Sequence, residues 1–285
     1  MFDILNVEKE SRNYKLFEEC FNVHSKFLKL NENFIGKDYI IGDIHGQFNK
    51  VMKVLGQLKF NPSTDRLICV GDLIDRGSQN HHLNNWMNYD WFYSVMGNHD
   101  LVRILMYFFQ EDYPEHFEFV YKETFIDWYD RFNNQEKFKF IKLLLQLPLA
   151  IEVSSKSRKY GIIHGDFPED YSCWEKFKID LLENKMSFDN IQKVLFSHTT
   201  GIRANPMKQH KNLYGNKKQV KNIKNIDNII IGHTPQKKPA FLDQFLMIDT
   251  GGGFTLPNEL KPSFCLKDGY FSIYSITDQR MYSFD

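Results

Sequence analysis

The chain has 285 residues, with 36 Lys+Arg against 36 Asp+Glu, 42% hydrophobic and 25% charged, a composition that excludes disorder over most of its length. A chain of this size buries roughly three quarters of the surface it exposes when unfolded, so it needs neither disulfides nor a metal to fold. A formal net charge of +0 supplies no global field for nucleic acid or an anionic membrane, and neither is expected as a partner.

The first residues, Met1-Phe2-Asp3-Ile4-Leu5-Asn6-Val7-Glu8, carry acids where a secretion signal needs a basic start and an apolar run. No later stretch approaches the ~18 apolar residues of a membrane span, so a cytoplasmic protein is expected. Cys20, Cys69, Cys173 and Cys265 are far apart, without the paired spacing of a zinc knuckle or a dithiol redox site.

Taken in chain order, residues 1–37 read as an N-terminal helical extension, with Tyr14, Phe17, Phe21, His24 and Phe27 at helical spacing. From Asp38 short apolar runs alternate with amphipathic segments. Tyr39-Ile40-Ile41 reads as a strand, Phe48 to Leu58 as a helix, Leu67 to Val70 as a strand, residues 79–89 as a helix, and Trp91 to Met96 as a strand. Such alternation predicts parallel pairing through β-α-β crossovers, an α/β fold. Residues 101–147 read as mostly helical, up to Pro148. Further buried strands are expected at Leu149–Val153, Tyr160–Ile163, Asn228–Ile231 and Phe245–Ile248. No Pro/Gly/Ser linker interrupts residues 38–285, which are expected to form one catalytic domain. Six lysines and no acid lie between Lys208 and Lys224, read as a solvated loop face.

Five polar clusters each follow an apolar run: Gly42-Asp43-Ile44-His45-Gly46, Gly71 to Gly77, Gly97-Asn98-His99-Asp100, His164-Gly165-Asp166 and Gly232-His233-Thr234. One such Asp or His is ordinarily a turn, a cap or a satisfied core residue. Five at strand ends carry more weight, because the carboxyl ends of an open sheet share one crevice. Asp43 and His45, two apart, would point to the same side of an extended chain and grip one ion. Together Asp43, His45, Asp72, Asn98, His164 and His233 exceed what one ion uses, which favours two ions. Carboxylate, amide and imidazole donors suit Mn²⁺, Fe or Zn²⁺.

The series G-D-x-H-G, G-D-x-x-D-R-G, G-N-H-D, H-G-D and G-H-T resembles the calcineurin-like metallophosphoesterase superfamily. Within it, the series resembles the serine/threonine phosphoprotein phosphatases, most nearly the small bacterial and bacteriophage lambda type. The likeness runs over residues 42–234 and on to Ile248-Asp249-Thr250-Gly251. It implies two mixed β-sheets in a sandwich flanked by α-helices, with a dinuclear metal site at the carboxyl ends of strands. Asp43 and His45 would then bind the first ion, Asp72 would bridge, and Asn98, His164 and His233 would complete the second. A hydroxide shared by the ions would attack phosphorus in line, His99 would protonate the leaving group, Asp75 would orient His99, and Arg76 would clamp the phosphate. The substrate implied is a phosphorylated protein or small phosphoester carrying phosphoserine, phosphothreonine or phosphotyrosine.

Two departures from the family pattern stand out. Where lambda-type members carry a second phosphate-binding arginine, this chain has His198, and Arg203 follows five residues later; either is a candidate phosphate contact. Asp100 stands where these phosphatases usually have Glu, as in bacterial diadenosine tetraphosphate hydrolases, so dinucleoside polyphosphate hydrolysis is the alternative. Those hydrolases typically lack the Asp75-Arg76 pair, which favours phosphomonoesters. A catalytically inactive regulatory protein is a second alternative, disfavoured because no ligand and no general acid is missing. The segment Asp249 to Gly253 is read as a structural turn near the site.

Overall fold

The structure, a computed structural model, describes residues 11–115, 117, 127–200, 222–253 and 269–284. In chain order its strands are β1 (Phe27–Leu30), β2 (Asp38–Ile41), β3 (Arg66–Cys69), β4 (Phe92–Ser94), β5 (Ala150–Ser155), β6 (Arg158–Ile162), β7 (Asn228–Ile231), β8 (Ala240–Leu242), β9 (Phe245–Met247), β10 (Phe271–Ser275) and β11 (Arg280–Phe284). They form a five-stranded sheet in the order β11-β10-β2-β3-β4 and a six-stranded sheet in the order β1-β5-β6-β7-β9-β8. In the first, β2, β3 and β4 are parallel, and β10 and β11 continue antiparallel. In the second, β6, β7 and β9 are parallel, while β5 runs antiparallel to β6.

Both faces of each sheet are covered, and the period-2 alternation of the strands shows how. Ile40, Ile68 and Val70 of one sheet share a core cluster with Ile151, Val153, Ile162, Ile230 and Leu246 of the other. Their neighbours Ile41, Leu67, Cys69, Ile229, Ile231 and Met247 belong to a second cluster, formed with the helices. Successive strand side chains point to opposite faces, so the sheets pack on one another through one face and carry helices on the other. Each fully buried Ile, Val or Leu contributes about 1.5–3 kcal/mol relative to exposure. This is the α/β arrangement of two mixed sheets that the family resemblance implies.

The helices that matter for the site are α1 (Arg12–Asn22), α2 (Phe48–Leu58), α3 (Leu83–Trp86) and α4 (Asn98–Phe109). Helix α1 starts at Ser11, whose side chain accepts from the Tyr14 backbone N–H. It packs Phe17 against Phe108 and Phe109 of α4 in edge-on contacts at 5.7 and 5.6 Å. Of the stretch read as a helical extension, the described part, residues 11–37, is helical over Arg12–Asn22. Phe27, which extends the helical spacing, instead opens β1, which pairs in parallel with β5. Residues 79–89, expected as one helix, divide into a 3₁₀ turn over Asn80–His82 and the short α3. Within 101–147 the helix Asn134–Leu145 begins with a capping box between Asn133 and Glu136. Among the described residues no helix is long and apolar enough to cross a membrane. Arg203 and most of the lysine-rich stretch, residues 208–221, lie outside the described residues.

Candidate metal centre

Each polar cluster follows the carboxyl end of a strand: Asp43 and His45 after β2, Asp72 to Arg76 after β3, Asn98 to Asp100 after β4, His164 after β6 and His233 after β7. The loops are stitched into one wall by backbone hydrogen bonds, His45 N–H to Asp72 C=O at 2.8 Å and Gly46 N–H to Leu73 C=O at 2.8 Å. His45, Asp72, Asp75, Arg76 and His233 all have positive φ, between +45° and +72°. Non-glycine residues reach this region at a cost of about 1–3 kcal/mol each, a strain that collects at functional sites. It corrects the expectation of an extended Asp43–His45 segment, since the chain turns at His45. Glycine is required where the loops meet: a Cβ at Gly97 would overlap Asp72 Oδ1, and one at Gly232 would overlap Asp43 Oδ1.

The hydrogen bonds fix the imidazole tautomers. His45 Nδ1 lies 2.9 Å from the Ile74 carbonyl and His164 Nδ1 lies 2.8 Å from the Val70 carbonyl. A carbonyl only accepts, so each Nδ1 carries the proton and each Nε2 presents a lone pair. Burial, foremost, holds His45, His164 and His233 below the usual histidine range, which keeps them neutral.

These lone pairs converge on Asp72, whose two oxygens face different groups. Oδ2 lies 3.5 Å from His45 Nε2 and 4.0 Å from His99 Nε2, whereas Oδ1 lies 3.4 Å from His164 Nε2. His164 Nε2 also meets Asn98 Oδ1 at 2.9 Å, with the Asn98 amide in that orientation. His45, Asp72 and His99 form one group able to hold a cation, and Asp72, His164 and His233 form another. The Nε2 atom of His233 is buried with no hydrogen-bond partner. On the His164–His233 side acceptors face acceptors around one carboxylate, an arrangement that repels unless a cation lies among them; with His45 on the other side, where the Arg76 guanidinium meets Nε2, the donor set fits two divalent ions sharing Asp72.

Asp43 stands beside these groups rather than within either. Its carboxylate accepts from the His233 backbone N–H at 3.1 and 3.2 Å. Burial, and then the charges of Asp249 and Asp72, hold its carboxyl well above the usual range. Asp249 behaves partly as the expected turn residue, since Oδ1 accepts from the Gly251 backbone N–H at 2.8 Å. Its Oδ2, however, is buried without a partner, and burial raises its carboxyl to about 6. The charge of Asp72 opposes ionisation of both Asp43 and Asp249, and a cation offsets that repulsion.

Arg76 donates to His45 Nε2 at 2.6 Å and to His99 Nε2 at 3.0 Å, so the guanidinium lies across the mouth of the group. His99 Nδ1 is 2.9 Å from Asp75 Oδ2, and Arg103 Nη2 donates to Asp75 Oδ1 at 2.5 Å. Asp75 and Arg103 are fully buried, with the guanidinium 5.3 and 5.0 Å from the rings of Trp128 and Tyr129. Although burial pushes the Asp75 carboxyl up, the Arg103 charge and the His99 hydrogen bond outweigh it and hold the group below its ordinary value. Arg103 belongs to none of the polar clusters, and its signal in the sequence is a cation inside the apolar run Leu101-Val102-Arg103-Ile104-Leu105. Arg103→Met is expected to lower stability by about 3–5 kcal/mol, because it strands the Asp75 charge in the core. Denaturant unfolding measures this, and a loss below about 1 kcal/mol would show that Asp75 is held by other means.

Asp100, noted for departing from Glu, accepts from the backbone N–H of Gly97 at 2.8 Å and of Leu73 at 3.1 Å. It caps α4 and ties it to the loop after β3. His198 stacks on His233 with ring centroids 3.9 Å apart, and its Nδ1 lies 2.9 Å from Thr234 Oγ1. The structure therefore brings the described candidate residues together in this wall, and Arg203 lies outside the described residues.

A sequence profile of the calcineurin-like phosphoesterase family matches residues 39–237. Serine/threonine-protein phosphatase 2 of Salmonella typhimurium is 31% identical over 229 residues, 79% of this chain and 92% of that protein. The symmetrical bis(5'-nucleosyl)-tetraphosphatase of Erwinia tasmaniensis is 38% identical over 71 residues, 24% of this chain and 26% of that protein. Among solved structures, a protein serine/threonine phosphatase from Saccharomyces cerevisiae shares the fold with a TM-score of 0.54, at 17% identity over 95% of this chain and 87% of that one.

Proposed function

From the fact that the chain belongs to the calcineurin-like phosphoesterase family, we propose that this phosphatase removes phosphate from serine and threonine side chains of proteins, using two divalent ions, with Mn²⁺ the first choice. The observation that carries the proposal is the chain of contacts from Arg103 through Asp75 to His99, with Arg76 beside it. A phosphomonoester with an alkoxide leaving group needs a positioned acid and a clamp for its non-bridging oxygens, and these four residues supply both.

Asp72 would be shared by the ions, with His45 and Asp43 on one side and Asn98, His164 and His233 on the other. When bound, the ions supply Lewis acidity and an acidified water. The protein's own groups do the rest. Arg76, freed from the two imidazoles by a phosphate dianion, grips two phosphate oxygens with its planar fork. Its departure leaves His99 Nε2 open to hold a proton, which Asp75 favours by accepting from Nδ1–H. His99 then gives that proton to the seryl or threonyl oxygen as the P–O bond breaks. Arg103, bonded to the second oxygen of Asp75, keeps that carboxylate ionised and fixed in direction. His198, stacked on His233, is the phosphate contact replacing the arginine found in lambda-type relatives, and Arg203 is a candidate for the same task.

The breadth of the Salmonella match, set against the short tetraphosphatase match, favours phosphoproteins over dinucleotides. Protein stripped of metal, reloaded with Mn²⁺ and offered a phosphoserine peptide and diadenosine tetraphosphate in parallel is expected to hydrolyse the peptide with the higher kcat/KM. A preference for the dinucleotide by orders of magnitude would overturn the substrate assignment. Turnover of neither by fully loaded protein would point to the inactive regulatory reading.

A further inference from the structure

Outside the metal centre, Lys26 has a burial that nothing in the described chemistry uses. It is 3% exposed, and Nζ has no hydrogen-bond partner. Its close contact is the face of Phe21, with Nζ 3.7 Å from the ring centroid. A ring face attracts an ammonium but satisfies none of its three N–H donors. Burial lowers the ammonium to about 8, so it still carries its charge at neutral pH. The backbone explains the position: the Lys26 carbonyl accepts from Leu149 and Ala150 N–H at the start of β5, which pins the residue beneath α1. Nothing in that pairing requires a lysine side chain.

Lys26 lines a cavity of about 180 Å³ between α1, α4 and the segment Asp180–Ile191. The walls are apolar, with Phe17 and Phe21 from α1, Leu101 and Leu105 from α4, and Leu181 and Ile191 opposite. Glu18, Asn22 and Asn184 also line it and are exposed, so they stand at the solvent side. Asp180, the other acid of the lining, is already engaged by Tyr171 Oη at 2.9 Å and Lys176 Nζ at 2.5 Å. Among the described residues no carboxylate pairs with Lys26.

A cavity of about 150 Å³ lined by apolar side chains stays dry and takes a ligand the size of benzene. This one is similar in size but opens to solvent beside Glu18, Asn22 and Asn184, and it adds a single buried cation at its wall. We propose that it is a binding site for a small monocarboxylate with an apolar body of about six carbons, the carboxylate pairing with Lys26 and the body filling the space among Phe17, Leu105 and Ile191. A polar or polyanionic ligand is disfavoured, since it would leave its remaining polar groups unpaired against the apolar walls. The site is separate from the metal centre and stands or falls independently of the phosphatase reading.

Hexanoate and 1-hexanol, which share an apolar body and differ in charge, are the probes, titrated calorimetrically into the full-length protein with and without inorganic phosphate. Hexanoate is expected to bind one equivalent, about tenfold or more tightly than hexanol, and to be unaffected by phosphate. In Lys26→Met the hexanoate advantage is expected to vanish while hexanol still binds. Equal binding of the two probes by the unaltered protein, or no saturable binding of hexanoate at millimolar concentration, would overturn the proposal. So would displacement by phosphate, which would move the carboxylate to the metal centre, or undiminished hexanoate binding by Lys26→Met. Should Lys26→Met fail to fold, the comparison of probes on the unaltered protein decides alone.

Discussion

Asp72→Asn is expected to lower kcat/KM for a phosphoserine peptide by about 10³-fold or more and to remove at least one bound ion per chain. The size of the effect follows from the direction of two oxygens. Oδ2 faces His45 and His99 at 3.5 and 4.0 Å, while Oδ1 faces His164 at 3.4 Å. Asparagine keeps one oxygen and replaces the other with a donor, so one cluster loses its charge and gains a hydrogen pointed at neighbouring lone pairs. Oδ1 also accepts from the His99 backbone N–H at 2.9 Å, so the surviving carbonyl is expected to stay on that side. Metal analysis together with steady-state rates checks the prediction; a variant with both ions and near-normal turnover would refute the sharing of Asp72.

The second large effect belongs to His99→Asn, for which a fall in kcat of about 10²–10⁴ on phosphoserine peptides is expected, with metal content unchanged. The loss depends on the leaving group. A serine alkoxide needs a proton as it departs, whereas p-nitrophenolate leaves without one, so the deficit on p-nitrophenyl phosphate is expected to be much smaller. His99 also lies within the group formed with His45 and Asp72, which gives the measurement a second edge. An equal loss on both substrates, accompanied by loss of an ion, would make His99 a ligand rather than the acid.

Much of this was legible in the sequence because the chemistry sits at strand ends, and strand ends are marked by an apolar run followed by glycine and a polar residue. Tyr39-Ile40-Ile41 before Gly42-Asp43 and Asn228 to Ile231 before Gly232-His233 are both buried parallel strands in the structure. What escaped lacks that mark. β1, four residues long, continues the aromatic spacing of α1, so its periodicity was indistinguishable from a helix that ends at Asn22. The β10–β11 hairpin was not singled out because Phe271–Ser275 is short and uniformly buried, without an alternating pattern.

The site shows the same division. Ligand identity follows from residue type, but orientation depends on backbone that residue type does not dictate. The left-handed turn at His45 is not dictated by residue type, since histidine is enriched at positive φ yet only a minority of histidines lie there. Asp249 looked like a turn residue, and one of its oxygens does bond as one; only three-dimensional packing shows that the other is buried, unpaired and close enough to Asp43 to raise its pKa. Asp100, whose identity motivates the dinucleotide alternative, has its carboxylate occupied by two backbone N–H groups, a capping geometry that residue type alone does not reveal.

The measurement that bears most directly on the metal centre is the metal stoichiometry of activation. Metal-free protein titrated with Mn²⁺, with bound metal counted by mass spectrometry and phosphoserine peptide turnover followed at each point, is expected to reach full activity at two ions per chain. Saturation of activity at one ion, or turnover in rigorously metal-free protein, would contradict a centre built on two cations sharing Asp72.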